Sequence, residues 1–277
     1  MKLMNGDSIG AYAFVTSDYK DLDFPLDLWI DWHAGMLDQI ALVTYGKFDL
    51  PVRDNLKLIP IDEEVSNADF NFYLIGKTLA QKSLDTQWKV MLDIDEFLKV
   101  KPDVKNLDKT KAYALRYRNL FGNVNTEIIN REFPRYQFRV HNGARTVLGD
   151  GGNISGPYDK RKSIGVFFNS SAERILGRRN WITWTEPNKT FEVFHTGSDR
   201  DPKSLKEKWI TQLIRERNEK REFDQRRYNF LSRSDRFDFE AYRLIWPGSK
   251  ISSVSDAELP EILLKNKPRF HWHTFES

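Results

Sequence analysis

A short apolar strand followed by two aspartates constrains this chain more than any other feature. Val90 to Leu92 are apolar and predict a buried strand, and Asp93 and Asp95 follow it closely. This spacing lets both carboxylates reach one point beyond the carboxyl end of the strand, where open α/β sheets bind ligands. Two carboxylates so close together repel each other unless a cation lies between them, and oxygen ligands suit Mg²⁺ or Mn²⁺. The stretch therefore predicts metal-assisted handling of a diphosphate, although a strand ending in an acidic turn is the simpler alternative.

Strands and helices alternate in the pattern before residue 98. The apolar periodicity predicts strands over 11–16, 39–45, 56–61 and 90–92, and helices over 26–37 and 67–83. In the second helix we expect Phe70, Leu74 and the Ile75–Leu79 pair to form one apolar face. The alternation predicts an α/β fold with a mostly parallel central sheet and helices on both faces.

The predicted alternation of strands and helices does not continue beyond residue 102. Residues 112–117 predict another strand, and residues 123–200 are rich in short strand and turn signals. Ser204 and Glu207 fit a capping box that opens a long helix. We therefore predict a C-terminal helical extension over residues 201–277, packed on the preceding domain.

Composition narrows the class of protein. The chain has 277 residues, 40% of them hydrophobic, and no cysteine. Disulfides, thiolate metal sites and a cysteine nucleophile are therefore excluded. No segment approaches the roughly 18 consecutive apolar residues of a membrane span, and residues 1–7 lack the apolar core of a secretory signal. We expect a cytoplasmic enzyme, with peripheral attachment to a membrane left open.

Charge is distributed unevenly along the chain. Residues 1–130 carry a net charge of roughly −5 and residues 131–180 roughly +6. A basic segment facing an acidic metal site suggests an anionic substrate between them. The same basic surface could contact nucleic acid or anionic lipid headgroups, or be a solvated face.

Four sequence patterns occur in an order that is typical of one enzyme family. They are residues 28–33 followed by 38–40, residues 88–97, residues 117–122, and residues 162–164 followed by 194–197. Together they resemble the nucleotide-sugar glycosyltransferases with a GT-A (Rossmann-like) fold, in particular the family-2-like group whose metal motif reads Asp-x-Asp-Glu-Phe. The resemblance implies a GT-A catalytic domain over residues 1–200, with a nucleotide-sugar-binding half (1–100) and an acceptor-side half (101–200).

The activity implied by this resemblance is metal-dependent transfer of a sugar, as in hexosyltransferases. The donor would be a nucleoside-diphosphate sugar, with a UDP-sugar expected first, and the metal would be Mn²⁺ or Mg²⁺. The acceptor would be a hydroxyl of a glycan or glycoconjugate. Two alternatives stay open: a glycosyltransferase acting on modified DNA bases, and a non-enzymatic nucleic-acid-binding module.

The metal ligands that the resemblance implies are Asp93, Asp95 and His195. His195 follows an apolar run, and neutral imidazole suits Mn²⁺. We expect its ring within about 8 Å of Asp95, because each ligand bond spans only about 2.0–2.2 Å. Asp93 could instead contact the ribose, and His195 could be a structural histidine. Glu96 is expected to point to the other face of an extended segment and to have a structural or supporting role, and His33 is expected to be structural.

Further residues are expected to contact the donor or to act in proton transfer. The expected donor contacts are Thr16, Asp93, Arg161, Lys162 and Arg200, the last from a weak likeness to an "H-x-G-x-x-K" pattern. The general base is expected to be Asp150, in a glycine-rich turn, with Glu186 and Asp159 as alternatives. An enzyme that retains configuration would need no such base.

Overall fold

A computed structural model gives the fold of most of the chain. The residues it describes are 7–20, 25–65, 70–109, 112–129, 136–142, 164–166, 181–183, 191–196, 206–207, 210–211, 213–214, 217–218, 225–233 and 248–270. The strands are β1 (Ile9–Val15), β2 (Gln39–Tyr45), β3 (Leu56–Ile61), β4 (Trp88–Met91), β5 (Glu96–Leu98), β6 (Ala112–Phe121), β7 (Asn123–Ile129), β8 (Tyr136–Asn142), β9 (Ile164–Val166), β10 (Trp181–Thr183), β11 (Glu192–His195) and β12 (Lys250–Ser253). The helices are α1 (Leu26–Met36), α2 (Phe70–Ser83), α3 (Gln225–Arg233) and α4 (Glu261–Lys265), with 3-10 turns at Ser17–Lys20, Asp256–Glu258 and Lys267–Phe270.

Ten of these strands form one sheet, in the order β12-β7-β6-β8-β4-β1-β2-β3, with β11 paired to both β5 and β6. β1 runs parallel to β2 and β4, β2 runs parallel to β3, and β11 runs parallel to β6. Following every pairing through the sheet, β1, β2, β3, β4, β6, β11 and β12 run one way, and β5, β7 and β8 run the other. The α/β class with a mostly parallel central sheet is therefore confirmed. The antiparallel strands lie in the half of the sheet beyond β4.

Helices cover both faces of the parallel strands, as expected. Successive residues of a strand point to opposite faces. Ala11 and Ala13 of β1 lie in one core cluster with Trp29 of α1, whereas Tyr12 of β1 lies in a second cluster with Ala80 of α2. The parallel half is thus a three-layer arrangement that buries β1, β2 and β4 on both sides.

The bounds of β2 and β3 match the predicted strands, and β1 begins two residues earlier than predicted. The predicted apolar face of α2 is wrong at Ile75 and Leu79, which are 49% and 40% exposed. The face toward the sheet instead carries Gly76, Lys77 and Ala80. A Cβ at Gly76 would lie 3.0 Å from the Tyr45 ring, so a larger residue would require that ring to shift by a few tenths of an ångström. The side chains of Phe70 and Leu74 lie outside the described residues.

The C-terminal segment contributes helices and part of the core. α3 falls within the predicted C-terminal helical extension, and the described positions between residues 206 and 218 are helical. Ser204 lies outside the described residues. Val254 and Leu263 join the main core cluster, and the Phe270 ring packs edge-on against Phe97 at 5.8 Å. Within the described residues, no helix is long and apolar enough to cross a membrane.

Candidate functional site

A tight turn between β4 and β5 holds the two aspartates. The Glu96 amide donates to the Asp93 carbonyl at 3.1 Å, and the Asp93 amide donates to Oε2 of Glu96 at 2.8 Å. From α1, Nε1 of Trp29 donates to both carbonyls, at 3.2 Å to Asp93 and 3.1 Å to Glu96. Because β4 is parallel to β1, the turn lies at the carboxyl edge of the sheet, where Asp93 and Asp95 were predicted.

The Asp93 carboxylate lies between two cationic side chains. Its Oδ1 is 3.0 Å from Nζ of Lys77 in α2, and its Oδ2 is 3.3 Å from Nη1 of Arg139 in β8. The same Nη1 is 3.1 Å from Oε2 of Glu96. The side chains of Lys77, Arg139 and Glu96 are at most 4% exposed, whereas that of Asp93 is 34% exposed. The cluster therefore reaches solvent through Asp93.

These surroundings shift the pKa values of Asp93 and Glu96 in opposite directions. Burial by itself would raise the pKa of Asp93, but the charges of Lys77 and Arg139 outweigh it and hold that pKa below the usual value. Burial raises the pKa of Glu96 well above its usual value, with the charges of Asp93 and Asp95 adding to the effect against that of Arg139. Asp93 is thus stabilised as a carboxylate.

The expected orientation of Glu96 is wrong. The alternation argument assumed an extended chain, whereas residues 93–96 form a turn that brings both carboxylates to Arg139. Glu96 closes this turn through the Asp93 amide, which gives it a structural role. The structural reading of His33 is supported, because its Nδ1 donates to the Trp29 carbonyl and its Nε2 accepts from the Leu98 amide.

The Asp95 side chain contacts a different partner. Its side chain is nearly buried, and its Oδ2 is 3.5 Å from Nε2 of His195 at the end of β11. The Asp95 carbonyl accepts from the amide of Thr196 at 2.8 Å and from its hydroxyl at 3.1 Å. Opposite His195 in the sheet are Glu96 in β5 and Asn119 in β6, and Nδ1 of His195 is 3.0 Å from Oδ1 of Asn119. Strand pairing thus brings His195 to Asp95, within the distance expected from the sequence.

The Asp95–His195 pair suits a divalent cation. Two ligands of one ion, each bound at about 2.1 Å, lie roughly 3–3.5 Å apart, which is the separation seen here. Among the described residues no group of three or more His, Asp or Glu side chains is arranged to hold a metal. The protein would supply two ligands, and the phosphate oxygens of a substrate would complete the shell, as is common for Mg²⁺.

Thr16 follows β1 at the same edge of the sheet. It is 2% exposed, and its Oγ1 has no hydrogen-bond partner among the residues that the structure describes. Buried hydroxyls are nearly always paired, so the partner of this one is not among the described residues. Thr16 therefore remains a candidate contact for a ligand.

The remaining predicted site residues lie outside the described residues. They are Asp150, Asp159, Arg161, Lys162, Glu186 and Arg200. The sequence analysis missed Lys77, Arg139 and Asn119. A lysine in α2 or an arginine in β8 carries no local signal that separates it from a solvated cation, because only the tertiary fold brings both to Asp93.

Comparisons with known proteins give only weak likenesses. No protein-family model and no curated protein matches the chain. Among solved structures, residues 1–349 of S. aureus TarS give a TM-score of 0.37 at 11% identity, over 81% of this chain and 69% of that one. The same fragment in complex with UDP gives 0.34 at 10% identity, over the same shares. A 4-diphosphocytidyl-2C-methyl-D-erythritol synthase from Anaerococcus prevotii gives 0.29 at 12% identity, over 68% of this chain and 92% of that one. Scores this low assign the chain to no family.

Proposed function

We propose that this chain is a metal-dependent glycosyltransferase that moves a sugar from a nucleoside-diphosphate sugar to an acceptor hydroxyl. The observation that carries the proposal is the 3.5 Å approach of His195 to Asp95 at the carboxyl edge of a mostly parallel sheet. Ligands of open α/β sheets bind at this edge. The resemblance of residues 88–97 to the Asp-x-Asp-Glu-Phe motif supports the same conclusion.

In this proposal Asp95 and His195 are the protein ligands of Mn²⁺ or Mg²⁺. A divalent cation bound there would neutralise charge on the leaving nucleoside diphosphate. Asp95 is the one carboxylate of this ligand pair, so the pair itself adds little negative charge against an anionic donor.

Asp93 has a different role in this proposal. Its two oxygens already face Lys77 and Arg139, so ligation of a metal would have to compete with two ion pairs. We assign it instead to the donor, as an ionised and partly exposed acceptor for a hydroxyl such as those of the ribose. The two cations serve to keep Asp93 charged and to fix its position.

The other residues keep the roles that the sequence suggested. Thr16, Arg161, Lys162 and Arg200 are proposed to contact the donor, for which a UDP-sugar is the first choice. Asp150, or else Glu186, is proposed as the general base of an inverting reaction on a glycan or glycoconjugate. The proposed site of action is the cytoplasm, and the catalytic domain is proposed to span residues 1–200.

A thermal-shift panel tests the donor and the metal together. UDP-, GDP-, dTDP- and CMP-sugars are each added with and without Mn²⁺, since a ligand that binds only the native state raises the melting temperature. We expect one nucleotide class to stabilise the protein, and only when Mn²⁺ is present. The proposal is contradicted if no sugar nucleotide shifts the transition, or if the shifts are the same without metal.

Release of nucleoside diphosphate from the donor so identified then tests catalysis. Asp95→Asn should lower the rate at least about 100-fold, the typical cost of losing one electrostatic contact to the transition state. The matched control is Asp31→Asn on α1, where the carboxylate pairs with Arg53 and is 43% exposed. Near-normal turnover in Asp95→Asn would rule out the assignment.

A further inference from the structure

We propose that Asn119 is a positioning residue that fixes the tautomer of His195 and so directs the Nε2 lone pair toward Asp95. The purpose of this arrangement, ligation of a divalent cation, rests on the function proposed above. The tautomer itself is inferred from the contact between Asn119 and His195 and can be measured independently of that function. Asn119 touches neither substrate nor metal in this account.

The contact between Asn119 and His195 determines which ring nitrogen carries the hydrogen. Oδ1 of Asn119 is 3.0 Å from Nδ1 of His195, and an amide oxygen can only accept a hydrogen bond. With the amide oxygen facing the ring, Nδ1 is the donor. A neutral imidazole has one N–H group, so Nε2 is left with its lone pair.

That lone pair points toward another acceptor. Nε2 of His195 and Oδ2 of Asp95 are 3.5 Å apart, longer than a normal nitrogen–oxygen hydrogen bond. A lone pair and a carboxylate oxygen at this distance repel each other unless a cation lies between them. Histidines that bind metals usually donate their other ring nitrogen to an oxygen acceptor, which orients the ring. Asn119 supplies that acceptor here.

Strand pairing holds both side chains in place. His195 in β11 and Asn119 in β6 are direct partners in a parallel ladder, and His195 also pairs with Glu96 in β5. The preceding residue, Phe194, is fully buried. A substitution at Asn119 should therefore change the hydrogen bond of the ring with little movement of the backbone.

The opposite orientation of the amide makes an opposite prediction. With Nδ2 donating to Nδ1 of His195, the ring hydrogen would be on Nε2 and would point to Asp95. His195 would then be an ordinary hydrogen-bonded partner of Asp95, with no lone pair available to a cation. The two arrangements differ in an observable property, the tautomer of one histidine.

The first test reads this tautomer directly in metal-free protein. Ring ¹⁵N shifts are recorded by NMR at about pH 8.5, well above the ordinary histidine pKa, and the His195 signals are identified by their loss in His195→Gln. We expect the Nδ1–H tautomer in the wild type and in Asn119→Asp, which keeps an oxygen acceptor. Asn119→Leu should lose this preference. An Nε2–H tautomer in the wild type would overturn the proposal whatever reaction the protein catalyses.

The second test measures Mn²⁺ affinity by the electron paramagnetic resonance signal of the free ion. Asn119→Leu should weaken binding about 10- to 100-fold, as for other groups that orient a metal ligand, while Asn119→Asp should bind at least as well as the wild type. The matched control is Asn125→Leu, which removes an amide that donates to Val254 and Asp256 away from the site. Equal affinities in Asn119→Leu and the wild type, or equal losses in both leucine variants, would contradict the proposal.

The two tests separate this inference from the proposed function. A wild-type protein that binds no Mn²⁺ would remove the metal from the proposed function, whereas the NMR result would still decide the role of Asn119. Urea unfolding of each variant shows whether a change in affinity accompanies loss of the fold. Recovery in Asn119→Asp distinguishes a lost acceptor from general damage.

Discussion

The two aspartates of one short motif contact different partners. Asp93 faces Lys77 and Arg139, while Asp95, two residues later, faces the imidazole of His195. The protein itself compensates the first carboxylate, and the second is placed beside a group that binds metals when neutral. The repulsion that suggested one cation between both carboxylates is thus relieved at Asp93 by side chains. In the function proposed above, the motif divides its tasks: Asp93 contacts the donor, and Asp95 binds the cation.

The largest effect should follow removal of Arg139, which tests the compensated half of the motif. Arg139→Met leaves Asp93 and the buried Glu96 without this guanidinium, and breaking a buried ion pair in this way costs about 3–5 kcal/mol. The free energy of unfolding, measured in urea at neutral pH, should fall by that order.

Glu96→Gln supplies the control for this experiment. Arg139 donates a hydrogen bond to Glu96, so the losses of the two single variants should not add in the double variant with Arg139→Met. Strictly additive losses would show that Arg139 and Glu96 do not interact. A stability of Arg139→Met equal to that of the wild type would remove the basis for the comparison between the two aspartates.

The buried histidine His141 differs from His195, because neighbouring core residues form hydrogen bonds with both of its ring nitrogens. His141 donates through Nδ1 to the Asn142 carbonyl and accepts at Nε2 from the Tyr12 hydroxyl. Burial lowers the pKa of His141 to about 4. The unfolded chain, with an ordinary pKa of about 6.5, therefore binds the proton first, and stability is lost as the pH falls from about 6.5 toward 4.

Replacement of His141 should reduce the loss of folding stability at acid pH. Between pH 7 and pH 4.5 the wild type should lose about 2 kcal/mol through His141 alone, and His141→Gln should be spared that part. Urea midpoints at the two pH values give the measurement. His33, whose pKa burial lowers to about 3, contributes in the same direction and remains in both proteins. Identical pH dependence in the two proteins would show that His141 does not titrate on unfolding.

The smallest effect concerns Thr16, at the same edge of the sheet. Its hydroxyl is buried without a hydrogen-bond partner among the described residues, so Thr16→Val removes a desolvation cost while keeping the shape. Without ligand, the variant should be as stable as the wild type or up to about 1 kcal/mol more stable. If Thr16 contacts the donor, the nucleotide-dependent shift should shrink. A destabilised variant would reveal a hydrogen bond to this hydroxyl.

The fold was more predictable from the sequence than the site. Apolar runs and their spacing located β2, β3 and α1 well, and at β2 the burial of both faces leaves a clear local pattern. The place of Asp93 and Asp95 followed from the same reasoning, since it depends only on where β4 ends. The approach of His195 depended on a family pattern, because no local signal places β11 beside β5.

What the sequence could not show was which cations compensate the motif. Lys77 lies in α2, where Ile75 and Leu79 suggested that a different face packs against the sheet. Gly76 instead packs closely on Tyr45, so the face with Lys77 is the inner one. Arg139 lies in β8, far along the chain from Asp93. Such pairings are tertiary, and they override a helical periodicity that is only weakly amphipathic.

The division between the two aspartates is tested most directly by Mn²⁺ binding and stability in Asp95→Asn and Asp93→Asn. Binding is followed by electron paramagnetic resonance with nucleoside diphosphate present, and stability by the melting temperature in metal-free buffer. Asp95→Asn should lose Mn²⁺ binding yet melt at or above the wild-type temperature, because a like charge has been removed. Asp93→Asn should melt lower, because Lys77 and Arg139 lose their counter-charge, yet it should still bind Mn²⁺. Loss of Mn²⁺ binding in Asp93→Asn together with its retention in Asp95→Asn would contradict the account.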